Sequence, residues 1–150
     1  MIIAVASGKG GTGKTLVASN LFRILFKKNK SVALVDCDVE EPNVINFISH
    51  RLQNEIEVKE YRPTIDTGKC IFCGKCAEYC SYNAIFCEQE SHYIKVLEDL
   101  CHGCHACSFA CKSGAINSSS KKVGMVSQYS HEDKVCLAEG RMEIGNHSAI

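Results

Sequence analysis

Eight cysteines of this chain fall into one pattern written twice: Cys70-x-x-Cys73-x-x-Cys76-x-x-x-Cys80, then Cys101-x-x-Cys104-x-x-Cys107-x-x-x-Cys111. The two runs stand 31 residues apart, and Ala84-Ile85 recurs at the same interval as Ala115-Ile116. Each unit is therefore a cysteine loop followed by a small apolar anchor, in tandem. Three thiolates spaced two residues apart can wrap one face of a compact inorganic cube, and the fourth lies on a helical turn aimed at the neighbouring loop. Zinc sites favour two cysteine pairs split by a longer spacer. Disulfides fit poorly, because the total of eleven cysteines is odd and nothing marks the chain as secreted. A segment this short cannot bury much apolar surface, and below about 40 residues metals or bridges usually supply the stability. Clusters bound by the cysteines would be its core.

Residues 63–117 resemble the two-cluster bacterial ferredoxins. The resemblance implies two 4Fe–4S clusters, one held by Cys70, Cys73, Cys76 and Cys111, the other by Cys101, Cys104, Cys107 and Cys80, since in that family the fourth cysteine of each run serves the other cluster. The family usually has proline after the fourth cysteine, where this chain has Ser81 and Lys112. That adds a backbone N–H near each cluster and a cation beside one, which shifts reduction potentials away from the family's values.

The N-terminal part carries a second signature. Ile2-Ile3-Ala4-Val5-Ala6 reads as a strand buried on both faces of a parallel sheet. Gly8, Gly13, Lys14 and Thr15 then satisfy the phosphate-loop pattern G-x-x-x-x-G-K-[ST]. The glycines let backbone N–H groups converge on phosphate oxygens, Lys14 neutralises phosphate charge and Thr15 offers a hydroxyl to Mg²⁺. Leu16 to Lys28 reads as a helix with Leu21, Ile24, Leu25 and Lys28 on one face, its N-terminus adding dipole to the phosphate site. Ser31 to Val35 reads as a second buried strand, ending in Asp36-Cys37-Asp38.

With Lys9 five residues before Lys14, the loop Lys9-Gly10-Gly11-Thr12-Gly13-Lys14-Thr15 is a deviant Walker A motif. Together with Asp36-x-Asp38 it resembles the MinD/ParA/Mrp ATPase superfamily, which includes the nitrogenase iron protein. The resemblance implies binding of ATP with Mg²⁺ in a nucleotide-dependent homodimer, with Lys9 reaching the partner's phosphates. It also implies that Asp36 orients Mg²⁺-bound water and that Asp38 positions the attacking water. The alternative for these two carboxylates is a strand end capped by solvated acids.

Between the signatures, Val39 to His50 reads as a loop and short helix, and Arg51 to Glu60 as a strand leading out of the core. Pro63 opens the cysteine insert, and Ser118-Ser119-Ser120-Lys121-Lys122 reads as a polar joint closing it. Val123 to Gly145 reads as irregular strands with turns at Ser130–Asp133 and at Gly140. Glu139-Gly140-Arg141 followed by Ile144-Gly145 resembles one branch of the superfamily, MinD-type ATPases with an inserted ferredoxin domain, over the whole chain. The expected fold class is α/β: a parallel P-loop sheet, incomplete here, with an inserted α+β ferredoxin-like domain. Its expected segments are 1–62, 63–117 and the return segment 118–150. No second apolar strand ending in aspartate follows Asn117, so the chain reads as an N-terminal portion, inactive alone, of a full-length ATPase.

Cys37, Cys87 and Cys136 fall outside the runs and read as small buried hydrophobes. His102 and His105, inside the second run, read as tuning groups, and His50, His92, His131 and His147 as surface residues. Net charge is zero, so nothing favours nucleic acid or a membrane surface. No run approaches the roughly 18 apolar residues of a membrane span, and the apolar start is too short for a signal peptide. A cytoplasmic setting, with reduced thiols, is expected. Function reads as an ATPase coupling nucleotide to electron transfer or to cluster assembly and delivery, with a redox partner or an apo iron–sulfur acceptor. The alternative is a ferredoxin-type electron carrier whose P-loop domain is a nucleotide-sensing or dimerising scaffold.

Overall fold

The computed structural model describes residues 1–9 and 11–143. They form two compact units: one takes residues 1–58 and the described residues from 123 onward, the other residues 59–122. No helix among the described residues is long and apolar enough to cross a membrane.

In the first unit, α1 spans Lys14–Lys27 and starts at Gly13, whose φ of 89° needs glycine's freedom. It closes through Asn29 in the left-handed region (φ 53°), with Lys30 N–H donating to the Leu25 carbonyl. The buried face is Ser19, Phe22 and Phe26, flanked by half-buried Leu21 and Leu25, while Ile24 and Lys28 point to solvent. The expected stripe is therefore rotated. The two phenylalanines have the larger apolar area to hide, and their rings meet at 5.5 Å.

Strand β1 (Leu34–Asp36) pairs in parallel with β6 (Lys134–Met142): Leu34 opposite Leu137, Val35 opposite Ala138, Asp36 opposite Glu139. Strand β6 also pairs antiparallel with β5 (Ile116–His131), joined by a two-residue turn in which Glu132 and Asp133 both have positive φ (46° and 62°). That is the hairpin turn whose twist suits the strands it joins. With β2 (Arg51–Ile65) the sheet order is β1-β6-β5-β2. Phe22, Phe26, Val44, Ile48, Tyr129, Cys136 and Leu137 form the core. Val44 lies in a 3₁₀ turn, Val44–Phe47, where the sequence reads a short helix.

Several expectations need correction. The expected parallel sheet is a mixed one, with β1·β6 parallel and β5·β6 antiparallel. Residues 2–6, expected as a buried strand, join no ladder, and Met1 to Ala6 are exposed. A strand is held by backbone pairing to a neighbour, and no described strand pairs with this run. Ser118–Lys122 is strand, part of β5, since the β-sheet ladder overrides a polar composition, while the boundary between the two units falls at its end, after Lys122. Gly140 lies inside β6 and makes no turn; a side chain there would crowd Val39. His131 is no surface residue: its ring packs 4.8 Å from Phe26 and donates from Nδ1 to the Ser49 carbonyl at 2.7 Å. Cys136 is buried as expected, but Cys37 is exposed and Cys87 half-buried. Gly10, Ile144, Gly145 and His147 lie outside the described residues.

In the second unit, α2 (Lys75–Glu78) and α3 (Ala106–Ala110) are single turns, one in each cysteine run. A small hairpin, β3 (Ile85–Glu88) with β4 (Tyr93–Val96), separates the runs. The core is Cys76, Ile85 and Cys107, with Ile65, Ile94 and Ile116 among the residues packed on it. Ala84 and Ala115, the repeated anchors, are each 1% exposed. The duplication extends to the backbone: the carbonyl of Ala115 accepts from Asp66 N–H, and that of Ala84 from Leu97 N–H, both at 2.8 Å and 31 residues apart at either end.

Candidate functional site

The phosphate loop is closed by its own hydroxyls. Ser7 Oγ and Thr12 Oγ1 lie 2.6 Å apart, and both donate to the Lys9 carbonyl. Gly11 and Gly13 take left-handed φ of 71° and 89° just ahead of α1, the kind of turn from which a backbone concavity is built. Such a backbone concavity at a helix N-terminus is suited to anions, and no acidic side chain stands in the first turn of α1 to oppose one.

Asp36 ends β1 and is buried. Its Oδ1 accepts from Asp38 N–H at 3.0 Å, and its Oδ2 from the N–H groups of Asn43 (2.9 Å) and Val44 (3.0 Å). The Thr15 hydroxyl donates to Asn43 Oδ1 at 2.9 Å. Asn43 therefore ties Thr15 to Asp36 through a turn 28 residues downstream of the loop. Sequence reasoning missed Asn43; the pair Pro42-Asn43 signals a turn and nothing about what the amide meets. Asp38 and Lys9 are exposed. Beside Asp36 in the parallel register stands Glu139, 3% exposed, which accepts from the Tyr129 hydroxyl at 3.0 Å. Burial raises the pKa of that tyrosine.

The eight cysteines line two cavities. Cys70, Cys73, Cys76 and Cys111 face one; Cys80, Cys101, Cys104 and Cys107 face the other. Each quartet thus takes three thiols from one run and the fourth from the other. Three left-handed positions recur in each copy at the 31-residue interval: Phe72 (φ 51°), Gly74 (74°) and Asn83 (51°), matched by Gly103 (62°), His105 (64°) and Gly114 (65°). These turns present N–H groups to sulfur. Ala84 N–H donates to Cys80 Sγ and Ala115 N–H to Cys111 Sγ, both at 3.3 Å, and Phe72 N–H lies 3.4 Å from Cys70 Sγ. A bulky residue with positive φ is uncommon, so Phe72 and His105 mark loops held by their surroundings.

The donor set fits a cubane-type cluster, whose four irons sit at separate corners and take one thiolate each. Among the described residues, no three His, Cys, Asp or Glu side chains converge closely enough for a single ion. Burial pushes the Cys76 thiol up to about 11 and raises Cys107. Burial acts the same way on Cys111, but the Ser113 hydroxyl and the N–H groups of Ala115 and Ile116 outweigh it and lower that thiol.

The cavities differ in their walls. The second holds two stacked pairs, His102 on Tyr82 at 4.0 Å and His105 on Tyr61 at 3.7 Å. The Tyr61 hydroxyl lies 2.5 Å from Ser108 Oγ, and burial raises its pKa. At the matching positions the first copy has Ile71 and Gly74, and neither cavity wall residue is aromatic there. The histidines were legible as extras in the run; their tyrosine partners were not, because Tyr61 lies 44 residues from His105 in sequence.

Comparison with known proteins agrees with the N-terminal reading. Residues 3–137 match the CobQ/CobB/MinD/ParA nucleotide binding domain. An uncharacterized protein of Methanocaldococcus jannaschii is 33% identical over 97% of this chain and 51% of its own length. A second uncharacterized protein of that organism is 38% identical over 57% of this chain and 30% of its own length. An iron–sulfur cluster carrier protein of Pyrococcus horikoshii is 48% identical over 46 residues, 31% of this chain and 16% of its own length. The chain thus spans about half the length, or less, of these relatives. On the match across most of its residues, the chain belongs to the CobQ/CobB/MinD/ParA nucleotide-binding domain family.

Proposed function

We propose that this chain is the nucleotide-binding and iron–sulfur portion of an ATP-dependent protein that holds two 4Fe–4S clusters in crossed cysteine quartets. The observation that carries the reading is the sorting of eight thiols into two cavities, each completed by the other run's fourth cysteine. When bound, such clusters supply one-electron transfer at potentials set by their surroundings. The chain's own residues do the rest. N–H groups beside the left-handed turns and the Ser113 hydroxyl stabilise thiolate sulfur, and the Tyr–His stacks screen the second cavity from water.

On the nucleotide side, the loop N–H groups and Lys14 would receive the phosphates of ATP, and Thr15 and Asp36 would face Mg²⁺. Asn43 holds the last two in register. Lys9 and Asp38, both exposed, are available to a second protomer and to the attacking water, as the deviant loop implies.

Electron transfer is the favoured output, because Cys76 and Cys107 lie in the core of the cysteine unit. A cluster removed as cargo would strip that core of its filling. Cluster delivery is the second reading, favoured by the relative named as an iron–sulfur cluster carrier. Anaerobically purified protein should contain about eight iron and eight sulfide per chain, two cubes of four, together with ATP binding that Lys14→Ala weakens. Stoichiometric zinc without sulfide sinks the reading. Transfer of iron and sulfide to an apo-acceptor, faster with ATP, would replace electron transfer by delivery.

A further inference from the structure

The turn after the fourth cysteine is built twice on the same backbone. Asn83 N–H donates to the Cys80 carbonyl at 3.1 Å and Gly114 N–H to the Cys111 carbonyl at 3.3 Å. Both donors are left-handed, with φ of 51° and 65°. Ala84 N–H then reaches Cys80 Sγ, and Ala115 N–H reaches Cys111 Sγ, both at 3.3 Å. Into this shared frame the sequence puts different side chains two residues after the cysteine: Tyr82 in the first copy and Ser113 in the second. Ser113 is half-buried and lines the first cavity, with its Oγ 3.5 Å from Cys111 Sγ. A sulfur bound to iron carries no proton, so the hydroxyl is then the donor. Tyr82 lines the second cavity and stacks on His102 at 4.0 Å. Among the described residues, Cys111 Sγ thus meets a main-chain N–H and a hydroxyl two residues on, where Cys80 Sγ meets the main-chain N–H.

We infer that this one repeat position makes the two clusters unequal: Ser113, donating to the Cys111 sulfur, raises the first cluster's reduction potential relative to the second's, and Tyr82 leaves Cys80 without that bond. The inference rests on the cluster reading above. Each cluster takes one electron from a low-potential one-electron donor and passes it to an acceptor. No iron–sulfur bond breaks and no proton moves. The added negative charge spreads onto the sulfurs, so a hydroxyl donor stabilises the reduced form more than the oxidised one. Ser113 therefore acts through Cys111 as a positioning residue, and the two copies differ in potential while sharing the same ligand type.

The test is a redox titration of the anaerobic protein followed by electron paramagnetic resonance, after iron and sulfide have been measured. It compares the wild type with Ser113→Ala, Ser113→Thr, Tyr82→Ser and Tyr82→Ala. Ser113→Ala should lower one midpoint by about three- to tenfold in its reduction equilibrium, roughly 30–60 mV for one electron, and leave the other in place. Ser113→Thr, which keeps the hydroxyl, should hold both midpoints. Tyr82→Ser should raise the midpoint that Ser113→Ala leaves alone, and raise it above its value in Tyr82→Ala, which loses the same stack without gaining a donor. A Ser113→Ala variant with both midpoints unmoved, or both moved together, overturns the inference. So does a Ser113→Thr variant that falls as far as Ser113→Ala, or a Tyr82→Ser variant no higher than Tyr82→Ala. Where Ser113→Ala loses iron, Ser113→Val is set against Ser113→Thr instead, and iron loss from Ser113→Val as well makes the residue structural and overturns the inference. Wild-type protein without iron and sulfide refutes the cluster reading itself, a result distinct from any pattern among the variants.

Discussion

The cysteine unit and the nucleotide unit reach their sites by different means. Every cavity-lining cysteine lies between Cys70 and Cys111, and the geometry around them is local: left-handed residues, a single helical turn in each run and, at Cys70, Cys80 and Cys111, an N–H two to four residues on. The nucleotide side is assembled over distance. Asp36 sits where it does because β1 pairs with β6, about a hundred residues away, and Thr15 meets Asp36 only through Asn43. A duplicated local unit can carry its chemistry in spacing alone. A sheet-borne site cannot, since each residue's place depends on strands written elsewhere. The price of the local solution is a thin core, an apolar cluster of three buried residues against one of seven.

The largest expected effect exposes that contrast directly. Removing iron with a chelator under reducing conditions should melt residues 59–122 while the Phe22–Leu137 core persists, because metal binding in so small a unit is folding free energy. Hydrogen exchange mapped along the chain reads the result. Equal loss of protection in both units would show that they do not differ in what holds them together.

Next in size is Phe22→Ala, which deletes the most buried large side chain of the first unit (2% exposed). It should cost about 3–5 kcal/mol, seen as a lower denaturation midpoint for that unit with iron content unchanged. A matching loss of iron would mean that the cysteine unit leans on the sheet for its stability.

Lys14→Ala should weaken ATP binding by about 1.5–3 kcal/mol, the range for hydrogen bonds to charged groups, or roughly 10- to 150-fold. Calorimetry on the anaerobic protein checks this, and the visible spectrum should not move. Wild-type affinity in the variant would remove Lys14 from the phosphate site.

The smallest effect is expected of Asn43→Ala. The backbone N–H to Asp36 survives, and only the Thr15 hydroxyl loses its partner. A cost of about 1 kcal/mol should appear as a several-fold rise in the Mg²⁺ concentration needed for ATP binding, with Mg²⁺-free binding unaffected. An unchanged Mg²⁺ requirement would show that the Thr15–Asn43–Asp36 chain is structural only.

The sequence by itself determined what short-range chemistry can encode. The two cysteine runs, their 31-residue interval, the alanine anchors, the glycine loop and the helix after it are all legible, because ligand spacing, left-handed turns and helix caps act within a few residues. Tertiary structure alone decided the rest. The face of α1 that is buried follows from what Phe22 and Phe26 meet, not from the helical period, which Leu21 and Ile24 satisfy as well. Ser118–Lys122 became strand because ladder hydrogen bonds outweigh composition, and residues 2–6 stayed unpaired because apolar content supplies no partner. Cys87 reads in the sequence as one stray thiol among three; only the tertiary structure sets it opposite Ile94 on β4, with its thiol donating to the Phe72 carbonyl, since the fold of a hairpin fixes which face each side chain takes.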